Sequence, residues 1–180
     1  MRNKQFKGFF KEILPDSRIE KRAEKIMADM LDFGNVVVNK FCPTSTEKIG
    51  AYRMLGNDSF DHNDLANGVY RACKKNVHPV HLLCIQDTSE INFSHHLGRI
   101  DKEDKDLGPV RNEDNAGFFC HPMLVIDTSN QLPIGISSID IWNRSWDKLN
   151  RHERNYHYQD IKEKESYRWI TSAQKTKELL

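Results

Sequence analysis

The chain has 180 residues, of which 38% are hydrophobic and 29% are charged, and its formal net charge is +1. This composition is typical of a globular protein, and no apolar run approaches the roughly 20 residues of a membrane-spanning helix. The basic residues 1–11 are not followed by an apolar segment, so they lack the pattern of a secretory signal. We therefore expect a cytoplasmic protein, with cysteines that form no CxxC pair and are reduced and buried: Cys42, Cys73, Cys84 and Cys120.

The charge is distributed unevenly along the chain. Residues 1–80 contain 14 Lys and Arg against 10 Asp and Glu, whereas residues 81–180 contain 13 against 16. The basic excess therefore lies in the N-terminal part. It is compatible with a segment that contacts a phosphate backbone, and equally with an ordinary solvated surface.

The first predicted helix begins at Ser17, where Ser17 and Glu20 match a capping box, and it ends at Gly34. Apolar residues recur at helical spacing from Ile19 to Leu31. The opposite face carries four cations, which we expect to be exposed and able to reach phosphates: Arg18, Lys21, Arg22 and Lys25.

Two further helices are predicted before residue 78. A second capping box, Thr44 to Glu47, opens a helix that stops at Gly56-Asn57. A third helix is predicted from about His62 to Lys75, with four residues facing inward: Leu65, Val69, Tyr70 and Cys73. The first 75 residues are thus expected to be wholly helical.

The pattern changes to strands after His78-Pro79. The short apolar run Val80 to Ile85 predicts a buried strand, which we expect to be the central strand of a three-stranded sheet. Gly117 to Ile126 and Leu132 to Trp142 predict a hairpin joined by turn-forming residues 127–130. The polar stretch 95–115 predicts an exposed loop, and the tail from about Asp160 predicts a helix.

Asp87 directly follows the first predicted strand. Clustered carboxylates suit two-cation phosphoryl transfer, because hard cations prefer oxygen ligands. A single Asp at this place is more often a turn or cap residue. A stand-alone nuclease would need more acids beside it, and the candidates are Glu90, Asp127 and Asp140.

Several short segments follow one another in a defined order. The first, in the helical part, is Gly50-Ala51-Tyr52-Arg53 followed by Asn57. At the strands come Ile85-Gln86-Asp87-Thr88, Leu107-Gly108, Gly117-Phe118-Phe119 with His121, Leu132-Pro133-Ile134-Gly135, and Trp142 with Arg144. The last is Glu163-Lys164-Glu165-Ser166 with Arg168-Trp169. In this order the segments resemble the motifs of the Tn-five-like branch of the IS-four family of DDE transposases, including its EKES-x-KW helix.

The resemblance implies an α+β chain. Residues 1–77 would form a helical DNA-binding domain, and residues 78–180 would form the first part of a ribonuclease-H-like catalytic domain, with a three-stranded antiparallel sheet and a helix. It further implies cut-and-paste transposition that depends on Mg²⁺ or Mn²⁺, with Asp87 as the first acid of the triad and a metal ligand. In the family's order the second and third acids come after Leu180, so the chain alone is expected to be inactive.

The resemblance also implies DNA contacts. Arg22 lies where the family has a DNA-contacting arginine, Arg18 matches a basic position beside it, and Asp32 replaces an expected lysine. Charge alone adds Lys25, Lys40 and Lys48 as candidate phosphate contacts. Arg53 is a further candidate that could equally form an ion pair, and Tyr52 is expected to be structural.

The partner implied by the family is the double-stranded DNA of transposon ends, bound in a synaptic complex that could contain a homodimer. An alternative function is a non-catalytic DNA-binding regulator that occupies these ends or inhibits a full-length transposase. The sequence does not separate the two.

Overall fold

The computed structural model describes residues 6–100, 105–111, 115–146 and 158–180. Within these ranges the chain is α+β, with five α-helices and an antiparallel sheet of five strands. The chain divides into two compact units, Met1–Ala72 and Cys73–Leu180. Among the described helices, none combines the length and the apolar character needed to cross a membrane.

The helices are α1 (Ser17–Phe33), α2 (Val38–Phe41), α3 (Ser45–Leu55), α4 (His62–Asn76) and α5 (Tyr167–Leu179). The strands are β1 (Leu82–Gln86), β2 (Ser89–Asn92), β3 (Gly108–Pro109), β4 (Ala116–Asp127) and β5 (Leu132–Trp142). Short 3₁₀ helices span Ser94–Arg99 and Ile161–Glu163. The predicted loop 95–115 therefore contains local structure in its described parts.

Helix α1 is capped by a different residue from the one that the sequence predicts. The Asp16 side chain accepts hydrogen bonds from the backbone N–H groups of Arg18 and Ile19, at 2.7 and 3.1 Å. Glu20 does not complete a box with Ser17, because it accepts a hydrogen bond from the backbone N–H of Glu12 at 2.8 Å. The predicted end is confirmed, since Gly34 adopts the left-handed conformation, with φ of 57°, that ends many helices.

The first unit is held together by apolar packing between its helices and the segment before α1. Its buried cluster combines this segment with α1, α2 and α3: Phe10, Leu14, Ala23, Ile26, Phe41, Cys42, Ala51 and Met54. The predicted capping box of α3 is confirmed, because Thr44 and Glu47 exchange hydrogen bonds. Arg71 on α4 donates to the carbonyls of Phe9 and Lys11, both at 2.7 Å, and so joins α4 to the N-terminal segment.

Strand β4 is the centre of the sheet in the second unit. One edge of β4 pairs with β1 at its C-terminal half and with β2 at its N-terminal half. The other edge pairs with β5 and β3. The predicted hairpin of Gly117 to Ile126 with Leu132 to Trp142 is confirmed as β4 and β5. All strand pairings are antiparallel.

The prediction that the first strand is central and buried is wrong. Among the described residues β1 pairs only with β4, and the side chains of Leu83 and Ile85 on it are 48% and 45% exposed. An apolar run indicates a strand but contains no information on how many neighbours that strand has. The prediction that the cysteines are buried holds for Cys42 and Cys73; Cys84 is exposed and Cys120 is half-buried, and all four are free thiols.

The turn of the β4–β5 hairpin is organised by a buried carboxylate. Asp127 is 1% exposed and accepts hydrogen bonds from the backbone N–H and the hydroxyl of Ser129, at 2.7 and 2.6 Å. Its other oxygen lies 3.1 Å from Nε2 of His78. The hydrogen bonds from Ser129, followed by the neighbouring His78, hold the pKa of Asp127 below its ordinary value despite burial.

Helix α5 packs on the sheet through small polar side chains. The hydroxyl groups of Ser137 and Thr176 lie 2.8 Å apart, and those of Ser138 and Ser172 lie 3.3 Å apart. All four side chains are buried. Small residues allow the helix backbone to approach the sheet closely, and the hydroxyl pairs satisfy one another without water.

We predict that Asp127→Ala lowers the melting temperature, because it leaves the Ser129 and His78 donors at the turn without their acceptor. The folded pKa is depressed, so this contribution is present above about pH 3.8 and is lost as the pH falls below that value. Thermal denaturation against pH should show the two curves converging in acid. Asp58→Ala, at an exposed position, is the control; an equal loss in that variant would contradict the prediction.

Candidate functional site

The four cations predicted to form one exposed stripe on α1 have different environments. The side chain of Arg18 is 91% exposed, with Asp16 as an ion-pair partner at 3.3 Å. Lys21 is also exposed. These two residues are therefore accessible to a large anionic partner.

Lys25 is only one-third exposed and joins two helices. Its Nζ lies 2.6 Å from a carboxylate oxygen of Asp29 on α1 and 3.0 Å from one of Glu47 on α3. Burial acts to lower the pKa of Lys25, but the hydrogen bonds to the two carboxylates outweigh it and raise the pKa. The prediction of an exposed side chain is thus wrong for Lys25, because the tertiary fold brings Glu47 to it.

Arg22 lies half-buried where α1 crosses α3. A Cβ atom at Gly50 would be 2.8 Å from both Cζ and Nη1 of Arg22. The guanidinium group therefore occupies the space that the glycine leaves open on α3. Gly50 opens the Gly-Ala-Tyr-Arg segment, so the structure connects that segment directly with the candidate DNA-contacting arginine.

The outward face of α3 combines cations with exposed apolar and aromatic groups. Ile49 and Tyr52 are 52% and 54% exposed, and Arg53 beside them is also exposed. Lys48 is half-exposed on the same helix, and Lys40 is exposed on α2. Tyr52, expected to be structural, instead presents its ring outward. Exposed aromatic and basic side chains on one helix are typical of surfaces that bind nucleic acid or protein.

In the second unit, Asp87 directly follows β1 and its side chain is exposed. Its Oδ1 accepts a hydrogen bond from the backbone N–H of Thr88 at 2.8 Å. The β1 ladder to β4 ends one residue earlier, at the pair of Gln86 with Met123. Asp87 is therefore presented to solvent at the end of the strand.

His121 on β4 lies beside this strand end and is fully buried. Its Nδ1 is 2.8 Å from the Thr88 hydroxyl, and its Nε2 is 3.0 Å from the amide oxygen of Gln86. Because an amide oxygen only accepts, Nε2 carries the proton and Nδ1 accepts from Thr88. Burial lowers the pKa of His121 and outweighs the opposing effect of Asp140 and Asp87, which favours the neutral form of the ring.

Helix α5 covers His121 and connects it to β5. The ring of Trp169 packs on the His121 ring, with centroids 4.9 Å apart. Arg168 donates to Asp140, the cross-strand neighbour of His121, at 2.6 Å. The same guanidinium lies 4.3 Å from the ring centroid of Trp142.

A second arginine ties the end of β5 to the segment before α5. Arg144 donates to both carboxylate oxygens of Glu165, at 2.8 and 2.6 Å, and lies over the ring of Phe119 at 4.3 Å. Phe119 in turn stacks on Trp142, with centroids 5.3 Å apart. Residues from four separate sequence segments are thus brought into one connected cluster.

The acids considered for a metal site do not gather around Asp87. Asp127 is bound at the hairpin turn, and Asp140 is paired with Arg168. Glu90 is exposed on β2 and accepts from Asn92 at 3.2 Å. Across the described parts of the chain, no three His, Cys, Asp or Glu side chains form a group that could hold a metal ion. Asp87 fits one ligand position, as an exposed hard-oxygen donor.

No model of a known protein family matches this chain, and no curated protein matches it either. The family resemblance therefore depends on the motif residues and on the contacts between them.

The roles of Gly50, Gln86 and Thr88 are not predictable from the sequence. Each of these residues belongs to a segment quoted for its resemblance, but its partner lies 28 or more positions away, in Arg22 or in His121. The signals in the sequence are that Gln86 and Thr88 stand on either side of Asp87 and that Gly50 opens the Gly-Ala-Tyr-Arg segment.

We predict that Lys25→Ala lowers the free energy of unfolding by about 1 kcal/mol, because it removes the ion pair with Asp29 within α1 and the one with Glu47 that joins α1 to α3. Denaturant unfolding of the purified chain measures this change. Lys21→Ala removes an equal charge one turn earlier on α1, at an exposed position, and should have little effect. Equal destabilisation by the two variants would show that the bridge is not structural.

Proposed function

We propose that this chain is part of a DDE-type transposase of the Tn-five-like branch of the IS-four family, in which the first unit binds transposon-end DNA and the second unit carries the first catalytic acid. The observation that supports the proposal most strongly is the cluster beside Asp87. The residues quoted for the resemblance on β4, on β5 and around α5 contact one another there: His121, Trp142, Arg144, Glu165, Arg168 and Trp169. These contacts support the interpretation of the quoted segments as parts of one site.

The arrangement of the second unit agrees with this proposal. β1, β4 and β5 lie side by side as antiparallel neighbours, Asp87 follows β1, and α5 follows β5 and packs on the sheet. A ribonuclease-H-like core begins with this order of strands, acid and helix. Asp87 would hold Mg²⁺ or Mn²⁺, which would stabilise the charge that develops during phosphoryl transfer. The described residues supply this single acid, and the rest of the ligand set would have to come from elsewhere.

The first unit supplies the DNA-binding part of the proposal. Arg18 and Lys21 on α1 and Arg53 on α3 are exposed, and Arg22 lies over Gly50 between the two helices. Lys40 and Lys48 extend the basic surface over α2 and α3. In this proposal the exposed cations contact phosphates, whereas Arg22, which lies over Gly50, contacts a base edge or a fixed phosphate.

We predict that Gly50→Ala weakens DNA binding without weakening the fold. The new Cβ would lie 2.8 Å from the Arg22 guanidinium, which is the end of a flexible side chain and can move away. Alanine is favoured over glycine inside a helix by about 1 kcal/mol, so the melting temperature should stay equal or rise. Arg22→Ala should cost about 1 to 3 kcal/mol of DNA-binding free energy if the arginine reads a base edge.

Fluorescence anisotropy with a transposon-end duplex and a random duplex, at several salt concentrations, measures both effects. The binding constant should fall with salt at a log–log slope of about −0.9 per phosphate contacted. Lys74→Ala, which removes one exposed cation from α4, is the matched control. Unchanged affinity and salt slope in Arg22→Ala, with the fold intact, would remove α1 from the proposed interface.

We also predict that the purified chain neither nicks nor joins DNA with Mg²⁺ or Mn²⁺, because one carboxylate cannot hold two cations at the spacing that the displacement needs. A supercoiled plasmid assay tests this. Nicking that Asp87→Asn abolishes would favour the stand-alone nuclease. DNA binding without nicking fits both the transposase and its alternative, a non-catalytic regulator, and only the transposase predicts that residues completing the triad restore nicking.

A further inference from the structure

The sheet has a gap in its hydrogen-bond ladder at the candidate acid. Along one edge of β4, the register with β1 ends at Gln86 paired with Met123, and the register with β2 begins at Ser89 paired with Cys120. Asp87 and Thr88 fall between these pairs, opposite Pro122 and His121. Proline has no backbone N–H to donate. The main-chain ladder therefore does not hold Asp87 in place.

The side chain of His121 bridges this gap. It binds the Thr88 hydroxyl through Nδ1 and the Gln86 amide oxygen through Nε2, at 2.8 and 3.0 Å. These partners are the residues immediately before and after Asp87. The ring is 0% exposed and lies against Trp169, so water does not compete for either hydrogen bond.

A purely space-filling role does not explain a histidine at this position. The neighbouring inward positions of β4 are apolar: Phe119, Met123 and Val125. An apolar side chain at position 121 would pack equally well against Trp169, but it would leave the Gln86 and Thr88 side chains without their partner. The choice of a polar ring with one donor and one acceptor matches those two groups.

We propose that His121 is a positioning residue for Asp87, and this inference rests on the proposed role of Asp87 as the first acid. Holding the residues on both sides of Asp87 defines the backbone at Asp87 and hence the direction of its exposed carboxylate. A ligand that is oriented before the metal arrives loses less conformational freedom on binding, which is the usual function of hydrogen-bonded groups behind a metal ligand.

The primary test is amide hydrogen exchange, followed by NMR on the full chain. In His121→Phe, which keeps a ring for Trp169 to pack on, the amide of Thr88, which donates to Asp87, and the amide of Ser89, where the ladder resumes, should exchange about tenfold faster, as expected for the loss of roughly one net hydrogen bond. The amides of Leu83 and Cys84 should be unchanged. His81→Phe, at an exposed histidine just before β1, should change neither group and is the matched control.

Thr88→Val is the second variant, because it removes one of the two hydrogen bonds without altering the buried ring. It should accelerate the same amides by a smaller factor. This variant decides the question if His121→Phe does not fold. Unchanged exchange at Thr88 and Ser89 in a folded His121→Phe or, failing that, at Ser89 in Thr88→Val would overturn the inference.

Paramagnetic broadening by Mn²⁺ separates this inference from the proposed function. In the unmodified chain, broadening should centre on the Asp87 amide, disappear in Asp87→Asn and weaken in His121→Phe. If exchange accelerates as expected but Mn²⁺ causes no broadening at Asp87, His121 still positions this strand end and the metal-ligand role of Asp87 is wrong. If broadening occurs and exchange is unaffected by the variants, Asp87 keeps its proposed role and His121 does not position it.

Discussion

The second unit depends on β4, because every other strand of the described sheet pairs with it. Buried positions alternate with less buried ones along β4 from Gly117 to Asp127. One strand of this length can bind β1 and β2 in succession along one edge while β5 and β3 occupy the other. The place where the first edge changes partner is also where Asp87 is presented, so the candidate acid lies at a discontinuity that the central strand creates.

A discontinuity in a sheet is useful only if something else holds the chain there. In this unit side chains make the contacts that the ladder lacks. His121 on β4 binds Thr88, Trp169 packs on the His121 ring, and Arg168 pairs with Asp140, the cross-strand neighbour of His121. Arg144 with Glu165 then attaches the segment before α5 to the end of β5. These charged contacts are half-buried and bidentate or stacked, which makes them stronger than ordinary surface ion pairs. They tie α5 to the same end of the sheet that carries Asp87.

In the first unit, the four cations on one face of α1 have different environments. Lys25 joins α1 to α3 through Glu47, whereas Arg18 and Lys21 extend into solvent. Arg22 is intermediate, because its guanidinium group lies over the backbone of Gly50 and is still partly exposed. A helical projection places all four on one face, but only the packing of α3 against α1 decides which of them keeps a free charge. The same packing leaves Tyr52 and Ile49 exposed beside Arg53, so the outward face of α3 combines aromatic, apolar and basic side chains.

The sequence by itself determined the local features of this protein: the helix that ends at Gly34, the capping box of Thr44 and Glu47, the hairpin of β4 and β5, and an acid at the end of a strand. Each of these depends on residues a few positions apart, whose periodicity and capping chemistry can be read directly. Only the tertiary structure decided that β1 lies at an edge, that Lys25 is bound by Glu47, and that His121 connects Gln86 with Thr88. Those outcomes depend on groups 22 to 45 positions apart, and a local pattern contains no information on which distant partner folding brings into contact.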